Sequence, residues 1–423
     1  MENRKKNSIA WIVFGLGVTI SILLRLRFPN LYHHFDVETF KEWIPFVSDL
    51  KSVYSTSCYC NYPALGLLLS SGVMSWLGNS IYAFLIFLSL IDAINVVLVF
   101  LILRKLKINQ AVLWAGIIGL LPSTYVGGAL WGQIDTIGQM ELYFFLLLLI
   151  GQLQTPDQQL SRYKAAGMGA LLSVALLTKQ LLLFPVLILG FMTLQIWLGR
   201  KTKSIAATGM ALISFILPIL LIDKWLTLPG EYNLSHFQKI FLEGSEHVNF
   251  ISGNGFNIWM LFVDEMYTPS TSSWFLGLSP KLMGILMVGI TALFTFYAFA
   301  KYYLKQGVKQ LIGNYLLGYA LLFLAVNLFF TGTHERYLYH FYPFLLIALL
   351  LLRASKALLY YTLFGAVCYG SFVFGILKQY HHSQWLFSSY FAHRFVFVIH
   401  FVLFILLANN YLNPLFHGKK RST

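Results

Sequence analysis

The chain is poor in charge. Asp, Glu, Lys and Arg make up 11% of its 423 residues, against about 25% in soluble domains. With 58% of the residues hydrophobic, that scarcity excludes a soluble globular protein and leaves an integral membrane one. Acidic residues are the scarcer sign, 16 against 30 Lys and Arg, for a net charge of +14. In a soluble protein this excess would suggest nucleic acid. In a membrane chain it reflects the positive-inside bias, and no nucleic-acid partner is expected. Cysteine is scarce too: three residues, two of them in "CYC" at 58–60, make neither a disulfide framework nor a zinc site. Long polar stretches are also missing. The widest gap between apolar runs is about 223–280, so one membrane domain over 1–423 is expected, with no separate soluble one.

What the chain has in abundance is apolar runs. Segments near 20 residues are long enough to span the hydrocarbon core as helices. Twelve are expected to do so: 8–26, 80–103, 111–127, 136–153, 165–180, 181–198, 204–222, 282–300, 311–331, 338–352, 356–377 and 394–412. The first run follows "RKK" and ends in "RLR" without a small-residue cleavage site, which reads as a retained signal anchor. The run at 63–77, "PALGLLLSSGVMSWL", is short and opens on a proline.

Loop charge decides where that run goes. With a cytoplasmic N-terminus and 63–77 lying in the outer interface, the cytoplasmic loops hold "RKK", "RKLK", "RYK", "GRKTK", "KYYLKQGVK", "RASK" and "KKR". Those carry 19 of the 30 Lys and Arg. Counting 63–77 as a full span would put six of these clusters outside, against the positive-inside rule. The expectation is therefore an all-α polytopic membrane protein of about twelve transmembrane helices, with both termini cytoplasmic. Interfacial helices fall in a first outer loop at about 27–79, and a large outer loop at about 223–281.

In that topology five polar stretches share the outer face: "HHFDVETFKEW", "WGQID", "TKQ", "SGNGFNIW" and "THERYLYH". Asp36 lies just beyond the first span, spaced with Thr39, Phe40 and Trp43 along one face of a short helix. It either caps that helix or does chemistry, and the two roles are compatible. Glu38 is a second carboxylate in the same stretch. Asp135 ends "WGQID" and opens an apolar run, where a carboxylate suits a helix N-terminus; with Trp131 and Gln133 it also makes a hydrogen-bonding rim. Lys179 interrupts about 35 otherwise apolar residues. A cation in hydrocarbon costs about 2.5–3.5 kcal/mol on insertion scales, so Lys179 either snorkels at a turn or serves as an anion ligand.

Arg336 offers a planar fork of donors suited to phosphate or carboxylate, and His334 adds another donor. The alternative is an internal Glu335–Arg336 pair that only closes the bundle. Asp36 is the expected general base and Arg336, Lys179 and His334 the expected ligands of a phosphate. Trp131, Gln133, Asp135, Glu38, Glu335, Tyr337 and Asn257 are the expected contacts to the rest of the substrates. His334 and the carboxylates have no fixed ligand spacing, and no metal or cofactor is assigned.

Two cations and at least two carboxylates at a membrane surface suit a substrate with an anionic headgroup and a lipid tail. If that substrate is a sugar on a polyprenyl phosphate, displacement at the anomeric carbon expels a phosphate, which needs cationic stabilisation and no protonation. One carboxylate then suffices to take the proton of the acceptor hydroxyl. A glycosidase, by contrast, usually needs two carboxyl groups, one of them protonated.

Six motifs carry a resemblance across nearly the whole chain: "FD" at 35–36, "YPAL" at 62–65, "WGQID" at 131–135, "TKQ" at 178–180, "NGFNIW" at 254–259 and "HERYLY" at 334–339. On these the chain resembles the GT-C superfamily of polytopic glycosyltransferases. It is most similar to bacterial mannosyltransferase-like proteins related to the second mannosyltransferase of GPI-anchor synthesis. The stretch from Asp36 through "YPAL" also resembles the first lumenal loop of dolichol-linked glucosyltransferases, in which an Asp at this place is the proposed general base. Here "YPA" stands where both relatives often have "YPP", which leaves mannose, favoured, and glucose both open. The resemblance implies a GT-C-like bundle and inverting transfer from a polyprenyl-phosphate sugar to a glycan, glycolipid or protein acceptor. The transfer would take place at the extracytoplasmic or lumenal face, with membrane lipid as the other partner.

Two other classes remain open. A transporter or flippase of lipid-linked sugars would carry internal repeats and polar midplane breaks, whereas here the polar stretches gather at one face. A surface-polysaccharide polymerase or ligase shares the many spans and the Arg/His chemistry.

Overall fold

The computed structural model describes residues 2–55, 60, 62–155, 161–199, 205–227, 235–241, 249–263, 268–382 and 390–417. Helix dominates and there is almost no sheet. The first helix, α1 (Glu2–Arg27), leads into four short ones, α2 (His34–Glu42), α3 (Leu50–Ser55), α4 (Ala64–Leu67) and α5 (Val73–Trp76). Six longer helices follow: α6 (Ile81–Lys105), α7 (Ala111–Leu120), α8 (Asp135–Leu153), α9 (Arg162–Thr178), α10 (Leu183–Gly199) and α11 (Ile205–Leu226). A second large loop holds α12 (Ser235–Phe241) and the strand β1 (Ser252–Gly253). The chain continues through α13 (Pro280–Ala298), α14 (Val308–Phe329), β2 (Thr333–His334), α15 (Tyr342–Leu352), α16 (Lys356–His382) and α17 (Tyr390–His417).

Nine helices among the described residues are long and apolar enough to cross a membrane: α1, α6, α8, α10, α11, α13, α14, α16 and α17. The other three expected spans are helical but shorter, at α7, α9 and α15. The run at 63–77 forms a short apolar helix, Ala64–Trp76. The expected basic clusters at 200–203 and 419–421 lie outside the described residues.

The short helices position the site. Pro122 ends α7, because the residue before a proline is pushed out of the helical region; Leu121 is accordingly extended. The chain then turns through Pro122–Thr124 and a wide helical turn, Val126–Leu130. This delivers residues 131–134 as a non-helical corner, with Asp135 as the first residue of α8. Gly132 holds φ of +92° there, a value a side chain strongly disfavours.

At the centre of the bundle, α14 is buried along its length, with α10, α13, α15 and α17 packed around it. On the other side α1, α6, α7, α8 and α9 interlock, and α11 lies along α9. Its outward face, with Ile213, Leu217 and Leu221, is exposed and apolar, as a lipid-facing helix requires. Val37, Phe40, Trp43 and Val53 of the first large loop form a separate cluster with Phe84, Leu85 and Leu88 of α6. That burial fixes the loop onto one end of the bundle.

Candidate active site

Of the two roles open to Asp36, capping of α2 is not the one it takes. His33 is the N-cap of that helix: the His33 side chain accepts from the Asp36 amide at 3.3 Å. The Asp36 carboxylate is thereby free of the helix end, and it turns to other segments. Its Oδ2 accepts from Trp131 Nε1 at 2.9 Å and lies 3.7 Å from Arg336 Nη2 and 3.0 Å from His33 Nδ1. Trp131 is the hub of this upper layer. His33 stacks on its ring at 4.9 Å, the Arg336 guanidinium sits 5.5 Å over it, and its carbonyl accepts from the His33 amide.

Beneath lies a second layer. Lys179, at the end of α9, is ion-paired with Asp135 and donates to Gln133 Oε1 at 2.9 Å. Tyr62 donates to the same Gln133 oxygen at 2.7 Å, and its ring lies 5.7 Å from the Lys179 ammonium. The other oxygen of Asp135 faces His340 Nε2 at 3.7 Å, and His340 Nδ1 meets Gln139 Oε1 at 2.7 Å. Trp131, Gln133 and Asp135, expected at a rim, are all buried. Lys179 does not snorkel, because its ammonium is buried against its partner. Asp135 opens α8 without capping it.

The stretch "THERYLYH" supplies the wall. Arg336 Nη1 donates to Glu335 Oε1 at 3.1 Å, so the internal pair weighed as an alternative is present. The same guanidinium reaches Asp36, so the pair and the site are one structure. His334 reaches within 3.9 Å of Glu335, and its ring lies 5.2 Å from that of Tyr337. Strands β1 and β2 pair in parallel, with Gly253 opposite His334. A Cβ at Gly253 would lie 2.5 Å from the His334 ring, so any larger residue there would displace that ring.

Two expected contacts stand apart. The Asn257 amide is spent on the Ile251 and Phe330 carbonyls and on Thr333 Oγ1, which makes it a brace for the wall. Glu38 faces Tyr32 rather than the cluster.

Exposure and charge separate the layers. Side chains of Asp36, Arg336 and His334 keep 16%, 13% and 30% of their surface exposed, against 6% for Lys179 and 1% for Asp135. Burial alone would raise the Asp36 pKa, but Arg336, His33 and Trp131 hold it well below the usual carboxylate range. Burial keeps the Glu335 carboxyl above its ordinary value despite Arg336. Burial and the Arg336 charge lower the His334 ring, leaving it neutral near pH 7. The Arg336 guanidinium is desolvated, yet Asp36 and Glu335 hold it firmly protonated. Each cation thus already faces a carboxylate.

Several members of the cluster were not singled out from the sequence: His33, Tyr62, His340 and Gln139. Tyr62 sits in "YPAL" and His340 closes "THERYLYH", so their motifs did carry a signal. Arg25 was missed with less excuse. It ends the first span, is fully buried, and donates to the carbonyls of Leu31, Ala129 and Leu130 at 2.7–3.0 Å. Those bonds tie α1 to the "WGQID" corner. Among the described residues no three His, Cys, Asp or Glu side chains gather as a metal-binding group. The chain matches no protein-family model and no curated protein.

Proposed function

We propose that this protein is a membrane glycosyltransferase of the GT-C type, transferring a hexose, mannose favoured, from a polyprenyl phosphate to a hydroxyl acceptor. The observation that carries the reading is the partly exposed pair of Asp36 with Arg336, 3.7 Å apart, on segments that belong to one end of a bundle of apolar helices. An acid–base group and a fork of phosphate donors then stand within one substrate's reach.

The chemistry divides as follows. The acceptor hydroxyl gives its proton to Asp36 as its oxygen bonds to the anomeric carbon. The bond from that carbon to the phosphate oxygen breaks on the opposite face, and the phosphate leaves without protonation. Arg336 is the first ligand of that phosphate, with the neutral His334 ring as a second donor. Lys179, buried and paired, acts through Asp135 and Gln133 by holding the corner that carries Trp131. The rest state also explains how a carboxylate with so low a pKa serves as a base. Phosphate competes with Asp36 for Arg336, and as the guanidinium turns to the donor, Asp36 loses its strongest counter-charge. Burial then raises its basicity at the step that needs it.

The test is transfer in proteoliposomes from defined polyprenyl-phosphate mannose and glucose, with the product's anomeric configuration determined. Asp36→Asn should lower turnover by about 10²–10⁴, as for loss of a general base, while donor binding holds or tightens because Asp36 no longer competes for Arg336. Wild-type turnover in a folded Asp36→Asn protein would move the base elsewhere. Translocation of the lipid-linked sugar without transfer would establish the transporter reading. That outcome has its own foothold in Asp92, buried midway along α6 against Ser21, Thr136 and Tyr339.

A further inference from the structure

A tight turn in the second large loop breaks two rules at once. Between Trp274 and Leu278 the chain reverses, with the Leu278 amide donating to the Phe275 carbonyl at 3.0 Å and the Trp274 amide to the Leu278 carbonyl at 2.9 Å. Its central residues, Leu276 and Gly277, have φ of +52° and +77°. Positive φ at both central positions defines a type I′ turn, where Asn-Gly or Asp-Gly is the ordinary choice. Leucine is a backbone outlier there. It also holds its side chain 82% exposed, beside Phe275 at 67%. In water this tip would carry backbone strain and a bare apolar surface, with no return for either.

The height of the tip resolves both costs. Trp274 packs edge-on against Trp259, with ring centroids 6.3 Å apart, in a small cluster with Ile251, Met260 and Met283. Met283 lies in the first turn of α13. The Met260 carbonyl accepts from Arg394 Nε at 3.1 Å, near the start of α17. Both helices are long and apolar enough to cross a membrane, so the cluster sits level with the ends of two spans. Phe262, beside this cluster in the segment that carries Trp259 and Met260, is also 67% exposed.

We infer that Phe275 and Leu276, with Phe262, insert into the membrane interface as a fixed anchor, and that their partner is the lipid bilayer. The loop they anchor is the one whose Gly253 and Asn257 brace the Thr333–His334 wall. Insertion therefore holds that wall at a set depth relative to lipid headgroups. The inference stands whether or not the protein transfers sugar.

Depth can be measured directly. In a protein with Cys58, Cys60 and Cys368 replaced by serine, a nitroxide is placed at Leu276→Cys and, separately, at Phe262→Cys. The labelled protein is reconstituted in phosphatidylcholine–phosphatidylglycerol liposomes. Power-saturation spectra should show collisions with oxygen exceeding those with a water-soluble nickel complex at both sites, the ordering found within the bilayer. Nickel collisions equal to those at a label on exposed Lys41→Cys, within α2, would put the tip in water and overturn the inference. Protection from both reagents would mean that protein, such as a second copy of the chain, covers the patch, and would overturn it equally. Should Leu276→Cys fail to fold, the Phe262 site reads the same depth without touching the turn.

Discussion

The buried pair of Lys179 and Asp135 makes the sharpest energetic prediction, and it does not depend on what the protein does. Both side chains are nearly sealed from solvent, at 6% and 1% exposure. Removing one partner leaves the other as an uncompensated buried charge, which costs about 3–5 kcal/mol. At about 2.1 cal/mol/K of unfolding entropy per residue, a chain of this length has ~0.9 kcal/mol/K in all. Lys179→Met or Asp135→Asn alone should therefore lower Tm by about 3–6 °C, followed by fluorescence-detected gel filtration after heating in detergent. The double variant is the decisive one. With both charges gone, a buried pair is commonly replaced at little net cost, so Tm should return to within about 1–2 °C of wild type. If the double variant falls by the sum of the two single losses, the residues are not coupled, and the lower layer of the site is misassigned.

Arg336→Lys keeps the charge and loses the fork; kcat/KM for the lipid-phosphate donor should fall by about 10²–10³, the loss of one well-placed transition-state donor, and unchanged kinetics would remove Arg336 from the site. The depressed pKa of Asp36 predicts a pH window as well. Its ionic contacts stabilise the fold fully above the unfolded-state value of about 3.9 and fade as pH falls through the lower native value. The Tm difference between wild type and Asp36→Asn should thus stay constant from pH 8 to about 5 and shrink below about 4; a difference that grows on acidification would contradict the pairing. Orientation can be read by cysteine labelling at exposed positions: Phe35→Cys should react from outside intact cells and Lys107→Cys only after permeabilisation, and the reverse pattern would invert the topology.

How far the sequence announces this structure depends on which property is asked of it. Apolar runs fix where helices form, because lipid leaves the backbone no other way to satisfy its polar groups; α6, α8, α14 and α17 lie where hydropathy puts them. Proline and glycine mark the interruptions, so the break at Pro122 and the corner at Gly132 are legible too. Depth is not. "WGQID" reads as a rim since Trp, Gln and Asp are polar or amphipathic, yet all three are buried. Each has a partner that lies far along the chain: Asp36 for Trp131, Lys179 for Asp135, and both Tyr62 and Lys179 for Gln133. No local pattern encodes such pairings, and the same blindness hides Arg25, which looks like an ordinary flanking charge. The capping of α2 fails for a related reason: His33 and Asp36 are both competent at a helix start, and only the distant Arg336 and Trp131 draw the carboxylate away. A polar residue beside a span therefore carries two pieces of information of unequal quality. That it needs a partner follows from the cost of burying charge. Which partner it takes is decided by the bundle as a whole, and in this chain that choice is what separates the accessible Asp36–Arg336 pair from the sealed Asp135–Lys179 pair beneath it.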